Sequence, residues 1–103
     1  MLSNAQLSMM NSPVTIRPAR SGEERALADL ARLDSAPPLD GDVLVAESEH
    51  NALAAIDVIS GRLVADPFRR TASEAALLRA RAEQMRSRRD SRRRLLGRLG
   101  FAR

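Results

Sequence analysis

Cysteine, lysine, tryptophan and tyrosine are absent from this sequence, and phenylalanine occurs only at Phe68 and Phe101. The absence of cysteine excludes disulfides, thiolate metal sites and a cysteine nucleophile. The absence of lysine excludes Schiff-base catalysis by a side-chain amine. With so few aromatic residues, the interior must be filled by leucine, valine, isoleucine and alanine.

Long apolar runs are also missing. No stretch approaches the roughly 18 apolar residues that a membrane-spanning helix requires. Residues 1–12 lack the basic start and the apolar run of a secretory signal peptide, and we expect them to be disordered. Together with the lack of cysteine, this pattern predicts a cytoplasmic protein without a transmembrane segment.

Residues 42–67 contain three short apolar runs separated by turn signals. A polar loop at residues 47–51 and a glycine turn at residues 60–61 divide the runs, which predicts an antiparallel meander of three strands. Upstream, residues 14–17 alternate apolar and polar side chains. They predict a first strand, which Pro18 ends.

Two segments match the capping-box pattern that opens a helix, residues 21–24 and residues 71–74. Apolar residues follow each of them at helical spacing, and Pro37 and Pro38 stop the first helix. The apolar positions are Leu27, Leu30 and Ala31 in the first helix and Ala75, Leu78, Ala82 and Met85 in the second. Both helices are candidate covers for the sheet.

The second helix is expected to stop packing near residues 84–87, because the next positions in phase with its apolar stripe are Arg89 and Arg92. Beyond that point we expect a solvated basic rod that breaks at Gly97 or Gly100.

These elements predict one small α+β domain at residues 13–85, with an antiparallel sheet of about four strands in β-α-β-β-β-α order. Residues 86–103 are predicted to form an arginine-rich C-terminal helical extension. Because the domain is small, its core provides only marginal stability.

The order of these elements resembles the N-terminal half of the GNAT family of N-acetyltransferases. Residues 14–19 and 23–30 look like the family's opening strand and first helix. Residues 43–47 and 52–55 look like its second and third strands, and the resemblance covers residues 14–85. It implies a truncated GNAT-like fold, with acetyl-coenzyme A as the cofactor of a complete member.

The resemblance places the cofactor's pyrophosphate at residues 70–75, where the family has a Q/R-x-x-G-x-G/A turn that opens a helix. Here Ser73 replaces the first glycine, and Glu74 adds a negative charge to the first helical turn. The family's fifth strand and its tyrosine general acid have no counterpart. We therefore expect a non-catalytic binding or accessory module without a cofactor.

An alternative implied by the same resemblance is an acetyl-coenzyme A-dependent N-acyltransferase completed by a second chain. Its cofactor-binding candidates are Arg69, Arg70, Thr71 and Ser73.

The sequence contains few other residues suited to a catalytic or metal-binding site. His50 is the only histidine, and its neighbours Glu47, Ser48 and Glu49 have the composition of a solvated turn. Asp57 interrupts an apolar strand, and alternation places it at an exposed or edge position rather than in the core. We predict no catalytic residue and no metal site.

Charge is divided unevenly along the chain. Residues 1–78 contain seven arginines and eleven acidic residues, whereas residues 79–103 contain ten arginines and two acidic residues. The tail therefore behaves as a separate electrostatic unit. Its candidate anion or nucleic-acid contacts are Arg86, Arg88, Arg89, Arg92, Arg93, Arg94 and Arg98.

Three interpretations of the tail stay open. It can contact nucleic-acid phosphates without sequence preference, since Phe101 is the only aromatic residue near it. It can bind an anionic membrane surface or an acidic protein, or it can be a solvated extension without a ligand. A homodimer through the sheet edge or the last helix is a further partner prediction.

Overall fold

The computed structural model describes residues 13–98, which form a four-stranded antiparallel sheet with one helix on each face. In chain order the elements are β1 (Thr15–Pro18), α1 (Glu24–Leu33), β2 (Val43–Ser48), β3 (Asn51–Asp57), β4 (Leu63–Ala65) and α2 (Ala72–Arg98). The strands lie side by side in sequence order. This arrangement confirms the predicted α+β class and the β-α-β-β-β-α order. The expected disorder of residues 1–12 lies outside the described residues.

Strand β2 shows why the sheet needs two helices. Its side chains alternate, so that Val43 and Val45 pack with α1 while Leu44 and Ala46 pack with α2. All four are buried. Burial of a valine or leucine side chain contributes about 1.5 to 3 kcal/mol, so removal of either helix would expose a costly apolar surface.

The start of α1 differs from the predicted capping box at residues 21–24. The helix begins at Glu24 with Glu23 at the N-cap position, and no side chain caps it through a hydrogen bond. The Glu23 carboxylate instead accepts hydrogen bonds from the Arg17 guanidinium and the Arg20 N–H. The prediction was wrong because the helix begins at Glu24, so Ser21 lies too far upstream to cap its first turn.

The connection between β2 and β3 is shorter than the predicted polar loop at residues 47–51. Glu49 and His50 form a two-residue turn between the paired residues Ser48 and Asn51. Both turn residues have positive φ, 52° and 67°. This geometry matches a type I′ hairpin turn, whose twist suits the flanking strands.

The connection between β3 and β4 spans residues 58–62, with Gly61 at a φ of 77°. The Asp57 carboxylate accepts hydrogen bonds from the N–H groups of Ile59 and Ser60. Asp57 is half-buried rather than exposed. Its carboxylate therefore shapes the turn.

The outer edge of β4 is partly occupied by the segment that follows α1. The Ala65 N–H donates to the Asp34 carboxylate at 3.1 Å. The Arg62 guanidinium donates to the carbonyls of Pro37 and Pro38 at 2.8 and 2.5 Å. At the opposite edge of the sheet, Pro18 has no N–H to offer to another strand. Homodimerisation through a sheet edge stays a prediction, with fewer free backbone groups than the sequence suggested.

Helix α2 runs without interruption from Ala72 to Arg98. Ala75, Leu78 and Ala82 are buried and Met85 is half-buried, whereas all side chains described from Ser87 onward are exposed. The helix continues through Gly97, so the predicted break at that glycine is wrong, and Gly100 lies outside the described residues. The predicted limit of packing near residues 84–87 matches the change in exposure.

Candidate functional site

The part of α2 beyond Met85, here called the basic segment and defined as residues 86–98, is the strongest candidate for a contact surface. It contains seven arginines and one acidic residue, Asp90. At 1.5 Å per residue it is about 20 Å long.

Two of the predicted contact arginines are engaged by the fold. Arg86 is half-buried and donates from Nη1 to the Val58 carbonyl at 2.7 Å. Arg89 forms an ion pair with Asp42, which directly precedes β2. The Arg86 contact attaches α2 to the end of β3 and orients the basic segment relative to the sheet, while the Arg89 pair adds an exposed contact at the start of β2.

Four other arginines have no such partner. Arg88, Arg92, Arg93 and Arg94 are exposed, and none forms a hydrogen bond or ion pair within residues 13–98. Arg98 is the last residue of α2, and its side chain is not among those described. Four of the seven predicted anion contacts are therefore available to a ligand in the described part of the chain.

The available arginines do not share one side of the helix. Arg88 and Arg92 are four residues apart and lie on the same side, while Arg93 and Arg94 are each rotated by a further 100° or so. Like charges at i and i+4, such as Arg88 and Arg92, destabilise a helix by about 0.2 to 0.5 kcal/mol per pair. A ligand that supplies negative charge removes this repulsion.

Leu95 and Leu96 are also exposed, at 56% and 43%. They are consecutive, so their side chains point about 100° apart on the helix. Around the helix, arginines lie both between these two leucines and on the remaining sides. Within the described residues, the basic segment therefore lacks the continuous apolar face that a membrane-surface helix uses.

The junction between β4 and α2 holds the four residues predicted as cofactor contacts. Arg69 is exposed and lies 3.9 Å from the Asp66 carboxylate, and Arg70 is exposed. Thr71 precedes the first residue of α2, its carbonyl accepts from the Ala75 N–H, and Ser73 is exposed.

These junction residues do not fit a pyrophosphate. Glu74 places a carboxylate in the first turn of α2. There it occupies the positive end of the helix dipole and repels a second anion. Ser73 adds a side chain where close approach of a phosphate needs glycine.

A cleft of about 610 Å³ lies between α1 and the α1–β2 connection. Leu27, Leu39 and Val43 provide apolar lining, and Glu24 and Asp40 provide charge. No nucleophile is paired with a base there. Elsewhere, His50 is exposed in its turn and forms no hydrogen bond with Ser48, and residues 13–98 contain no group of side chains suited to a metal ion.

An ionic cluster around Arg17 was missed by sequence reasoning. The Arg17 guanidinium donates to both Glu23 carboxylate oxygens at 2.7 Å and to a Glu47 oxygen at 2.9 Å. The Arg17 side chain is only 12% exposed, and within residues 13–98 its buried Nε has no hydrogen-bond partner. The cluster joins β1, β2 and the N-terminus of α1. Arg17 occupies an ordinary polar position in the alternation of residues 14–17, so the sequence contains no local signal of the cluster.

The cluster shifts the titration of its carboxyl groups. Hydrogen bonds from the Arg17 guanidinium, and next from the Arg20 N–H, lower the pKa of Glu23 from 4.5 to about 2. Arg17 also lowers the pKa of Glu47, and the two glutamates raise the pKa of Arg17. All three groups are therefore charged at neutral pH.

We predict that acid weakens the fold through this cluster. A pKa below its unfolded value stabilises the folded state above about pH 4.5, and this stabilisation is lost as the pH falls toward 2. Urea unfolding at pH 5, 4, 3 and 2 measures the loss. Glu23→Gln should be less stable at pH 5 and should show a weaker pH dependence. Equal pH dependence of the two proteins would contradict the assignment.

Comparison with known proteins found no relative. No protein-family model, curated protein or solved structure matches this chain. The function must therefore be inferred from the geometry of the basic segment. Within residues 13–98, neither helix has the length and apolar character needed to cross a bilayer.

Proposed function

We propose that this chain is a non-catalytic accessory module that binds the phosphate backbone of nucleic acid through the basic segment. The observation that carries the proposal is the exposure of Arg88, Arg92, Arg93 and Arg94 on a helix that Arg86 attaches to the end of β3. Arginine is suited to this role because its planar guanidinium can form two hydrogen bonds to one phosphate.

The distribution of charge favours nucleic acid over a membrane. A flat anionic surface contacts one side of a helix, whereas the major groove of a duplex is wide enough for a helix and has phosphates along both walls. The available arginines lie on several sides of the basic segment, so a groove can contact more of them at once. Since the described part of this segment contains no aromatic residue, base stacking does not contribute there. We expect binding without strong sequence preference.

The non-catalytic part of the proposal is supported by the junction between β4 and α2. Its Ser73 and Glu74 do not fit the pyrophosphate of acetyl-coenzyme A. A GNAT-like relationship remains part of the proposal, supported by the β-α-β-β-β-α order of the elements. The proposed location is the cytoplasm, and the proposed partners are nucleic acid and, through α2 or a sheet edge, a second copy of the chain.

A shortened chain that ends at Ser91 tests the proposal. It keeps Met85 and the contacts of Arg86 and Arg89, but it lacks Arg92, Arg93 and Arg94. At low salt, its affinity for a duplex DNA should fall by at least about 100-fold relative to the full chain, because several phosphate contacts are lost.

Circular dichroism of the shortened chain should show that the sheet and the packed part of α2 are retained. Equal DNA binding by both lengths would contradict the proposal. Acetyl-coenzyme A serves as the competing ligand in a calorimetric titration, and saturable micromolar binding would contradict the non-catalytic assignment.

A further inference from the structure

Among the arginines of the basic segment whose side chains are described, Arg89 differs because it forms an ion pair within the fold. Its guanidinium pairs with the Asp42 carboxylate across 47 residues of sequence. Arg89 occupies the side of α2 that continues the buried Ala82 and the half-buried Met85, so it points toward the end of the sheet. The contact therefore forms only when α2 packs against the sheet.

Asp42 is held in place by its backbone. Its carbonyl accepts a hydrogen bond from the Val58 N–H at 2.8 Å, and Gly41 before it has a φ of 82°. Asp42 and Arg89 face a cleft of about 280 Å³. Among the described residues, no other charged side chain lines this cleft.

The pair is open to solvent, with side-chain exposures of 47% for Arg89 and 56% for Asp42. Water screens such a pair, so it is weak, but it must be broken before another anion can bind Arg89. A phosphate is such an anion, because it presents several oxygens to the guanidinium at once. The two groups therefore compete for one cation.

We infer that Asp42 is an internal competitor of the phosphate ligand, which withholds Arg89 from nucleic acid and limits the number of contacts made by the basic segment. This inference rests on the proposed function. It divides the arginines into a permanently available set, Arg88, Arg92, Arg93 and Arg94, and a withheld one, Arg89. Asp42 thereby sets the affinity and the salt sensitivity of binding.

Asp42→Asn tests the inference, and Asp40→Asn is its matched control. Both substitutions remove one exposed carboxylate near the end of the sheet and change the net charge equally, but only Asp42 pairs with Arg89. Binding of a duplex DNA to the full-length proteins is measured by fluorescence anisotropy over a range of salt concentrations.

Asp42→Asn should bind the duplex about 5- to 10-fold more tightly than Asp40→Asn at about 0.1 M salt, the gain expected for one more phosphate contact. Its plot of log association constant against log salt should be steeper by about 0.9. Arg89→Gln should remove this gain when combined with Asp42→Asn.

Equal affinities and equal salt slopes for Asp42→Asn and Asp40→Asn would overturn the inference while leaving the proposed function intact. A gain that persists in the Asp42→Asn, Arg89→Gln double variant would also overturn it, because the gain would then not pass through Arg89. Absence of any duplex binding by the unmodified chain would overturn the proposed function itself, and the inference with it.

Discussion

Replacement of Arg17 by methionine is expected to lower the free energy of unfolding by about 1.5 to 3 kcal/mol, the contribution of hydrogen bonds to charged groups in a half-buried ionic cluster. Methionine keeps an unbranched side chain but leaves Glu23 and Glu47 without their guanidinium. Their carboxylates are 22% and 23% exposed, so water compensates only part of the loss. A domain of this size has about 5 to 15 kcal/mol of stability in total, so the effect should be large.

Arg32→Met is the matched control. Arg32 also pairs with a carboxylate, that of Asp29 at 3.0 Å, but both side chains are more than half exposed. Its replacement should change stability by no more than about 1 kcal/mol. Chemical denaturation of the three proteins measures the difference.

Arg17→Lys provides a graded readout if the methionine variant fails to fold. Lysine keeps the positive charge but cannot form the two parallel bonds to Glu23, so an intermediate loss is expected. Equal stability of Arg17→Met and Arg32→Met would show that the cluster does not contribute as the geometry implies.

Simultaneous replacement of Arg88, Arg92, Arg93 and Arg94 by glutamine is expected to weaken duplex DNA binding on the order of 1,000-fold at low salt. Each phosphate contact releases condensed counterions, and four contacts are lost together. Glutamine has a helix propensity close to that of arginine, so α2 should persist. Fluorescence anisotropy at about 50 mM salt measures the affinity.

A second fourfold variant controls for net charge. Arg25, Arg32, Arg69 and Arg70 are exposed residues outside the basic segment, and their replacement by glutamine changes the net charge by the same amount. This variant should lose less than about 10-fold in affinity, because it keeps every proposed contact. If both variants weaken binding equally, the interaction depends on overall charge and the basic segment is not the site.

The fold could be predicted from local patterns because those patterns agreed with one another. The apolar alternation at Val14 to Arg17, the runs at residues 42–67 and the stripe from Ala75 to Met85 each implied one element. The details that failed depended on contacts distant in sequence. The turn at Glu49 and His50 contains no glycine, and its shortness follows from strand pairing.

For the candidate site, too, local features could be predicted from the sequence, whereas features that depend on distant contacts could not. The charge of residues 86–98 and the end of apolar packing after Met85 were visible in the sequence. Sequence alone could not separate Arg86 and Arg89 from the available arginines. Their partners, Val58 and Asp42, become neighbours only when β2, β3 and α2 are assembled.

The salt dependence of duplex binding by the unmodified chain tests the central claim most directly. If the available arginines of the basic segment contact phosphates, a plot of log association constant against log salt should have a slope of about −4, from roughly −0.9 for each of four or five phosphates. The fourfold glutamine variant of the basic segment should have a slope near zero. A slope near zero for the unmodified chain, or equal slopes for the two proteins, would contradict the claim that this helix binds nucleic acid.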